Sequence, residues 1–326
     1  MVIWIQLGES ANYVCDYTFN FHWHNKEPGP DSVIPYQIGT ELSYRDLVNE
    51  LKAGGEVHIK GNVGKNFAYS MGADLKHFGG SGEAERAGKI FIGGDAGPEA
   101  GMGMVAGTLY INGNIEQPLG NIIELVSDVH GYRKFRSVTD ILCTGMGNDQ
   151  LIDNEYNEAQ SILTLKDGIP RGTLAARCTC TCTVIVEGNA YNGTGLLAKK
   201  CTIIVKGNAG MNTGSHLDGG TVVVHGNVGE FAGAYMKEGK LMFLDAKGFI
   251  GAEMAGGAIY SKSKVRTGSP AARSGLKRED ISLIRELMGA GRVESMLYNK
   301  YMPDKEKEKY VEVRMRDGSL VLRRID

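Results

Sequence analysis

The chain has 326 residues, with 36 Lys and Arg against 38 Asp and Glu and a formal net charge of −2 at pH 7. A chain of this length can bury a substantial core as one large domain or two smaller ones, and its balanced charge argues against nucleic acid or an anionic membrane as a partner. Because the start of the chain lacks a basic signal-peptide region and no apolar run approaches about 18 residues, we expect a soluble, cytoplasmic protein.

Residues 1–54 are predicted to form an N-terminal cap of strands and one helix. The helix should begin after Ser43, which can cap it with Asp46 three residues later, and it should end at Gly54. His22 and His24 alternate along a strand-like segment with no carboxylate at a useful spacing. We interpret them as surface or interface residues and not as metal ligands.

A repeat organises the 46 glycines of the chain. Units that open with Gly-Asn at Gly188, Gly207 and Gly226 follow each other every 19 residues, and similar units begin earlier at Gly61 and Gly94. Each unit offers one short strand at the same phase and no helical pattern, so successive strands should stack in parallel. The predicted fold is all-β: a right-handed parallel β-helix of about 19 residues per turn, built in two blocks, 55–115 and 171–262.

Stacking places equivalent residues in columns. Two apolar columns should form the core: Val57, Ile90, Leu109, Val184, Ile203, Val222, Leu241 and Ile259 in the first, and Ile59, Ile92, Ile111, Val186, Val205, Val224 and Phe243 in the second. Short polar residues recur at the following turn, where such side chains can bond their own backbone. This polar ladder consists of Asn62, Asp95, Asn114, Asn189, Asn208, Asn227 and Asp245.

The residues between the two core columns should face outward, yet they too are largely apolar. This outer face consists of His58, Phe91, Tyr110, Ile185, Ile204, Val223, Met242 and Tyr260. Contiguous apolar surface usually marks a contact with another part of the chain or with a partner. Coverage by the chain's own termini or insertion and coverage by another subunit both remain open, and we predict a partner interface on this face.

Two segments depart from the repeat. Residues 116–170 abandon the period, and such a long insertion is typically functional or makes its own small structure. Within it, Arg133 and Arg136 stand beside Tyr132 and Phe135, and we expect this basic cluster to dock another subunit. Residues 263–326 are predicted to form a helix and a hairpin that cover the open end of the coil.

The repeat text GNAGMNTGSHLDGGTVVVHGNVGEFAGAYMKEG resembles the GXGXG-repeat family. That family includes the C-terminal β-helix domain of glutamate synthase large subunits, the free-standing archaeal subunit built from this domain, and the β-helical scaffold subunit of formylmethanofuran dehydrogenase. The resemblance covers residues 55–115 and 171–262. The insertion and the helical tail depart from the pattern, and the tail favours the free-standing archaeal subunit.

The resemblance implies a structural and interaction subunit of a multisubunit redox complex, with no catalytic residues and no cofactor of its own. In a glutamate synthase-like complex, glutamine-dependent glutamate synthesis would use FMN and Fe–S clusters in partner subunits. Formylmethanofuran dehydrogenase is the alternative complex. An autonomous enzyme or binding protein that uses residues 116–170 as its site is the alternative of another class.

The stretch RCTCTCTVIVEGN raises the question of a metal or redox site. If residues 178–182 were extended, Cys178, Cys180 and Cys182 would be about 6.8 Å apart in succession, too far to chelate one tetrahedral ion. We therefore expect reduced thiols, and we expect this stretch to lead the chain back into the coil after the insertion. Cys182 should then lie in a column that requires small residues. Cys182 and Cys201 fall on adjacent turns, about 4.8 Å apart, and this pair is left open as a metal or redox pair.

Overall fold

The computed structural model describes residues 2–19, 29–75, 80–304, 309–314 and 320–325. Their fold is a mostly β solenoid of about 9 turns with roughly 19 residues per turn, which confirms the predicted class and period. The right-handed sense of the coil stays a prediction. No helix in the described part of the chain combines the length and apolarity needed to cross a bilayer.

A first stack of parallel strands is built from the N-terminal part of the chain. Its strands are β1 (Val2–Gln6), β2 (Glu56–Lys60), β3 (Lys89–Ile92) and β4 (Thr108–Ile111). The pairing of β1 with β2 is parallel, with Trp4 opposite His58, so the predicted N-terminal cap supplies a full strand of the coil. Helix α1 (Tyr44–Lys52) begins at Ser43, whose side chain and that of Asp46 form a reciprocal capping box, as predicted. His22 and His24 lie outside the described residues.

The insertion folds against both stacks. Its elements are β5 (Ile122–Leu125), β6 (Arg133–Ser137), α2 (Val138–Thr144), β7 (Glu155–Asn157) and β8 (Ile162–Leu165), with a 3₁₀ turn at Glu158–Gln160. Strand β6 runs antiparallel to β4 and ends the parallel first stack. Strand β8 pairs in parallel with the next strand, so the second stack begins before residue 171.

The second stack continues in register from β8. Its further strands are β9 (Thr183–Val186), β10 (Thr202–Val205), β11 (Asp218–Val224), β12 (Glu238–Phe243) and β13 (Ala258–Ser261). The register aligns Val184, Ile203, Val222, Leu241 and Ile259, as the first apolar column requires. All five side chains are buried, so this predicted core column is confirmed.

The polar ladder bonds between turns. The side-chain oxygen of Asn62 accepts from the backbone N–H of Asp95, and those of Asn189 and Asn208 accept from the turns that follow them. The expectation that these side chains bond their own backbone is therefore wrong at these positions. The parallel stacking brings the next turn's N–H within reach of each oxygen, so the ladder ties neighbouring turns together.

The C-terminal residues close the second stack. Their elements are β14 (Ala271–Ser274), α3 (Arg278–Met288), α4 (Arg292–Ser295) and β15 (Asn299–Pro303), followed by β16 (Lys309–Arg314) and β17 (Leu320–Ile325). The hairpin β16–β17 is antiparallel as predicted, and its turn lies outside the described residues. It is β15, however, that pairs with the last turn at β13, with β14 beyond it.

Candidate functional site

Five of the six cysteines meet beneath the insertion helix, at the start of the second stack. Cys143 lies in the last turn of α2, Cys178, Cys180 and Cys182 precede β9, and Cys201 precedes β10. The Sγ atom of Cys182 lies 3.1 Å from that of Cys201 and 3.5 Å from that of Cys178. The three sulfurs of Cys178, Cys182 and Cys201, which we call the thiol triad, lie within 4.8 Å of one another.

The path of residues 177–182 explains this convergence. The chain bends at Cys180 and Thr181, and no strand begins until Thr183. The conclusion that these cysteines lie too far apart to chelate one ion, which held only if the segment were extended, does not apply to Cys178 and Cys182. Because the chain turns instead of extending, Cys178 and Cys182 point their sulfurs toward the same place, and both join the neighbouring turn at Cys201.

The column that contains Cys182 and Cys201 does require small residues, as the repeat predicts. Gly220 takes the same place one turn after Cys201 and has a φ of 67°. A Cβ atom at Gly220 would lie 2.6 Å from the carbonyl oxygen of Cys201, closer than a Cβ atom can approach. Cysteine fits this column just before β9 and β10, where it contributes sulfur as well as small size.

The thiol triad is buried and shares hydrogen bonds. All three residues belong to the hydrophobic core of the second stack, which surrounds them with Val184, Ala198 and other apolar side chains. Hydrogen bonds with Cys182 and Cys201 lower the pKa of Cys178, while the contact with Cys178 raises the pKa of both partners. The arrangement thus favours one thiolate held by two thiols, and the thiolate is the form that binds metals.

The other two cysteines form a disulfide, which corrects the expectation that all six thiols are reduced. Cys143 and Cys180 are bonded, with their Cα atoms 5.5 Å apart. The Sγ atom of Cys143 also lies 3.9 Å from that of Cys178, so the disulfide borders the thiol triad. Reduction of this bond would add sulfur ligands beside the three that are already free.

The sulfur spacing discriminates between kinds of metal site. A tetrahedral site with zinc–sulfur bonds of about 2.3 Å has sulfur–sulfur edges of about 3.8 Å. The triad distances of 3.1 and 3.5 Å, and the 3.9 Å between Cys143 and Cys178, are close to this value. In a [4Fe–4S] cluster each cysteine binds a different iron, so the cysteine sulfurs stand farther apart. The arrangement therefore matches a single thiophilic ion better than a [4Fe–4S] cluster.

The predicted outer face divides into a stacked and a covered part. In the first stack Trp4, His58, Phe91 and Tyr110 form a ladder of parallel rings with centroids 4.2, 4.4 and 4.5 Å apart. Trp4 is 66% exposed, whereas Tyr110 is buried and donates a hydrogen bond to Asp128 of the insertion. The aromatic ladder is thus exposed at its Trp4 end and covered at its Tyr110 end.

The outer face of the second stack is covered mainly at its C-terminal end. Ile185 and Ile204 are half-buried, and Val223 is buried. Met242 and Tyr260 are buried in a separate core with Ile284 of α3 and Tyr298. Of the two predicted alternatives, coverage by the chain itself applies to Met242 and Tyr260, so a partner could reach this face only nearer Ile185 and Ile204.

The basic cluster of the insertion is neutralised within the chain. Arg133 makes two hydrogen bonds to the carboxylate of Glu124, and Arg136 binds both Asp140 and Asp149. The side chain of Arg136 is 14% exposed and that of Arg133 is 39% exposed. Docking through these two arginines stays a prediction, but their charges already serve to hold β5, β6 and α2 together.

Sequence reasoning missed Cys143 and underestimated Cys178. Cys143 stands 35 residues before Cys178, and no spacing motif connects the two. The available signal was the capping pattern at Ser137, which predicts where α2 begins but not what the helix packs against. The Cys182 and Cys201 pair, in contrast, follows from the 19-residue register alone.

Comparisons with known proteins give no functional assignment. No family model matches the sequence. The chain is 38% identical over 201 residues to an uncharacterised protein of Methanothermobacter thermautotrophicus, and the match covers 61% of this chain and 64% of that protein. The chain therefore aligns with less than two thirds of the length of this curated relative.

Among solved structures, similarity extends to the formyltransferase/hydrolase complex FhcABCD from Methylorubrum extorquens in complex with methylofuran. The alignment covers 90% of this chain and 91% of that chain, at 16% sequence identity and a TM-score of 0.28. A likeness at this level supports no conclusion about function.

Proposed function

We propose that this chain is a subunit of a multisubunit redox complex in which the solenoid holds one thiophilic metal ion at the thiol triad. The observation that carries the proposal is the convergence of Cys178, Cys182 and Cys201 from two successive turns to within 4.8 Å of one another. Soft thiolate ligands select zinc, copper(I) or iron over hard cations. After a thiol reductant has opened the disulfide, Cys143 is a candidate for a fourth ligand, because its Sγ atom lies 3.9 Å from that of Cys178.

The role of the site within the complex follows from its burial. The triad lies in the core, so a metal ion there would fasten the insertion helix α2 to the first turns of the second stack. A closed site of four protein ligands is typical of structural ions, which leave no position open for substrate. The proposal therefore keeps catalysis in partner subunits and assigns this chain a scaffold role.

The surface that would meet those partners is the aromatic ladder together with the half-buried Ile185 and Ile204. Trp4 is largely exposed at one end of the ladder, and Phe91 is half-buried within it. Stacked rings offer a large apolar area with little side-chain entropy to lose on binding. This surface supports an interaction subunit and is independent of the metal site.

The resemblance of the repeat to the GXGXG-repeat family supports a glutamate synthase-like complex, with FMN and Fe–S clusters in partner subunits. Formylmethanofuran dehydrogenase is the alternative, with this chain in the place of its β-helical scaffold subunit. The repeat text does not discriminate between them. Under either identity, the chain is expected to be isolated with partners and to show no turnover alone.

Purification of the tagged chain from its native cells under anaerobic conditions tests the subunit role. A co-purifying flavoprotein with iron–sulfur centres supports the glutamate synthase-like complex, and a co-purifying molybdopterin protein supports formylmethanofuran dehydrogenase. A Trp4→Glu variant should recover less of either partner, whereas Leu297→Glu, a matched change at an exposed apolar residue far along the chain, should not. A monomer that shows catalytic turnover of its own would contradict the subunit role.

A further inference from the structure

A solvent-accessible disulfide lies directly beside the buried thiol triad. Cys143 is exposed and Cys180 is half-buried, whereas all three residues of the triad are buried. The Sγ atoms of Cys143, Cys178 and Cys180 lie within 4.8 Å of one another, so the disulfide and the triad meet at Cys178. A small redox reagent in solution therefore reaches the disulfide more readily than the triad.

Helix α2 holds Cys143 over the triad independently of the disulfide. Thr139 lies one turn before Cys143 in α2, and its hydroxyl donates a hydrogen bond of 2.7 Å to the carbonyl oxygen of Ala176. Thr139 and Ala176 are both buried, and Ala176 stands two residues before Cys178. Opening of the Cys143–Cys180 bond therefore leaves α2 attached to the segment that carries the triad.

The closed disulfide leaves the metal site one ligand short. Metal ions bind the thiolate, and a sulfur atom in a disulfide carries no such charge. The triad alone supplies three sulfur ligands, whereas structural zinc sites are almost always four-coordinate. Because the triad is buried in the hydrophobic core of the second stack, the missing ligand has to come from the protein.

Reduction supplies the missing ligand from α2. The Sγ atom of Cys143 lies 3.9 Å from that of Cys178, close to the sulfur–sulfur edge of about 3.8 Å in a tetrahedral zinc–thiolate site. The bond to Cys180 restricts the side chain of Cys143, because a disulfide tolerates only a narrow range of geometries. Once that bond is open, Cys143 can change its rotamer and turn its sulfur toward the rest of the triad.

We propose that the Cys143–Cys180 disulfide is a redox gate of the metal site: the ion binds tightly only after the disulfide has been reduced, and re-formation of the disulfide releases the ion. This inference rests on the metal site proposed above and adds its regulation. To open the gate, a dithiol reductant gives two electrons and two protons to Cys143 and Cys180 and itself becomes a disulfide. The thiols that then bind the ion lose their protons to solvent. To close the gate, a disulfide oxidant takes up the two electrons and two protons.

The gate acts in both directions. If reduction raises the affinity for the ion by some factor, bound metal must stabilise the dithiol against the disulfide by the same factor. Redox-sensing cysteines are typically solvent-accessible and lie next to a second cysteine, as Cys143 does. The ion therefore protects Cys143 from oxidation, and strong oxidation empties the site.

Cobalt(II) titration of the full chain in two redox forms tests the gate. One form keeps the disulfide, with free thiols at Cys15 and at the triad. The other is reduced with dithiothreitol, which is then removed under anaerobic conditions, and thiol counting verifies both forms. The reduced form should bind cobalt at least about tenfold more tightly, since loss of even an outer-shell partner typically weakens metal binding 10–100-fold. Equal affinity in the two forms would overturn the gate and leave the metal site standing, whereas no saturable binding by either form would overturn both.

Two variants that lack the same disulfide distinguish the roles of its cysteines. Cys180→Ser keeps Cys143 free and should bind cobalt as the reduced chain does, before and after dithiothreitol treatment. Cys143→Ser lacks the fourth ligand and should bind at least about tenfold more weakly than Cys180→Ser under both conditions. Because both variants lose the disulfide, its contribution to stability cannot account for a difference between them. Equal affinity of the two variants, or the reverse order, would refute the role of Cys143.

A measurement on the unaltered chain decides the question even if one variant fails to fold. The chain is equilibrated in a glutathione redox buffer with and without saturating zinc, and peptide mapping gives the fraction that carries the Cys143–Cys180 bond. Zinc should shift the ratio of dithiol to disulfide toward the dithiol by about tenfold or more, the same factor as the change in affinity. A ratio that zinc leaves unchanged would contradict the gate.

Discussion

The sulfur atom of Cys182 lies 3.1 Å from the sulfur atom of Cys201, which stands at the equivalent position one turn later. The contact is a direct product of the repeat, because the backbone N–H of Thr202 donates to the carbonyl oxygen of Cys182 and holds the two turns in register. Cys178 joins this pair because the chain bends at Cys180 and Thr181 before β9 begins. One local conformation thus converts a pair of cysteines into a triad.

We expect Cys182 and Cys201 to form a disulfide when the metal-free chain is treated with diamide. Cα atoms on adjacent parallel strands lie about 4.8 Å apart, within the range that a disulfide spans. Peptide mapping by mass spectrometry should find the linked pair, while Cys15, which is buried in the other core, stays unlinked. Recovery of both Cys182 and Cys201 as free thiols after this treatment would speak against the assigned register.

Leu241→Ala should lower the free energy of unfolding by about 3 kcal/mol. Leu241 is fully buried in the inner column between Val222 and Ile259, so its removal leaves a cavity that neighbouring turns cannot fill. Leu297→Ala, at a side chain that is 65% exposed, should change stability by less than about 0.5 kcal/mol. Chemical denaturation followed by circular dichroism measures both, and equal effects of the two substitutions would contradict the assigned core.

The C-terminal cover should loosen in acid because of Asp280. Burial acts to raise the pKa of this carboxyl, but hydrogen bonds from Tyr260, the Lys277 backbone and Lys300 prevail and lower it. Since the pKa is lower in the folded state, the stabilisation is present at neutral pH. It is lost as the pH falls below the ordinary aspartate value of 3.8 and through the folded-state value.

Asp280→Asn should destabilise the chain at neutral pH by about 3 kcal/mol, because it leaves the buried ammonium of Lys300 without its partner. Its stability should also depend less on pH below about 4 than that of the unaltered chain. Glu279→Gln, at an exposed neighbour, is the matched control. Thermal unfolding across pH measures both variants, and an identical acid profile in Asp280→Asn and the unaltered chain would count against this assignment.

Two arginines on strand β6 should differ in their contribution to stability. Arg136→Gln leaves the carboxylate of Asp140 uncompensated in a little-exposed place and should cost about 3 kcal/mol. Arg133→Gln breaks a more exposed pair with Glu124 and should cost about 1 kcal/mol or less. Denaturant titration of the two variants gives the comparison. A larger loss for Arg133→Gln would show that the insertion is held by other contacts.

The repeat made much of the architecture predictable. A strict period fixes which residues align, so the inner columns at Val184 to Ile259 and the capped helix at Ser43 could be derived from local pattern alone. The antiparallel pairing of β6 with β4 could not, because it joins residues outside the period through tertiary contact. The thiol triad lay between these cases: Cys201 followed from the register, but Cys178 depended on a bend at Cys180 and Thr181 that the 19-residue period does not specify.

Metal binding by the reduced, metal-free chain tests the central claim most directly. Titration with cobalt(II), followed by the thiolate-to-metal charge-transfer absorption in the near ultraviolet, should saturate at one ion per chain, and zinc should displace the cobalt. Cys182→Ser should abolish the absorption or weaken binding at least tenfold, whereas Cys15→Ser should bind as the unaltered chain does. Absence of a saturable charge-transfer absorption, or an identical titration of Cys182→Ser, would contradict the proposed metal site.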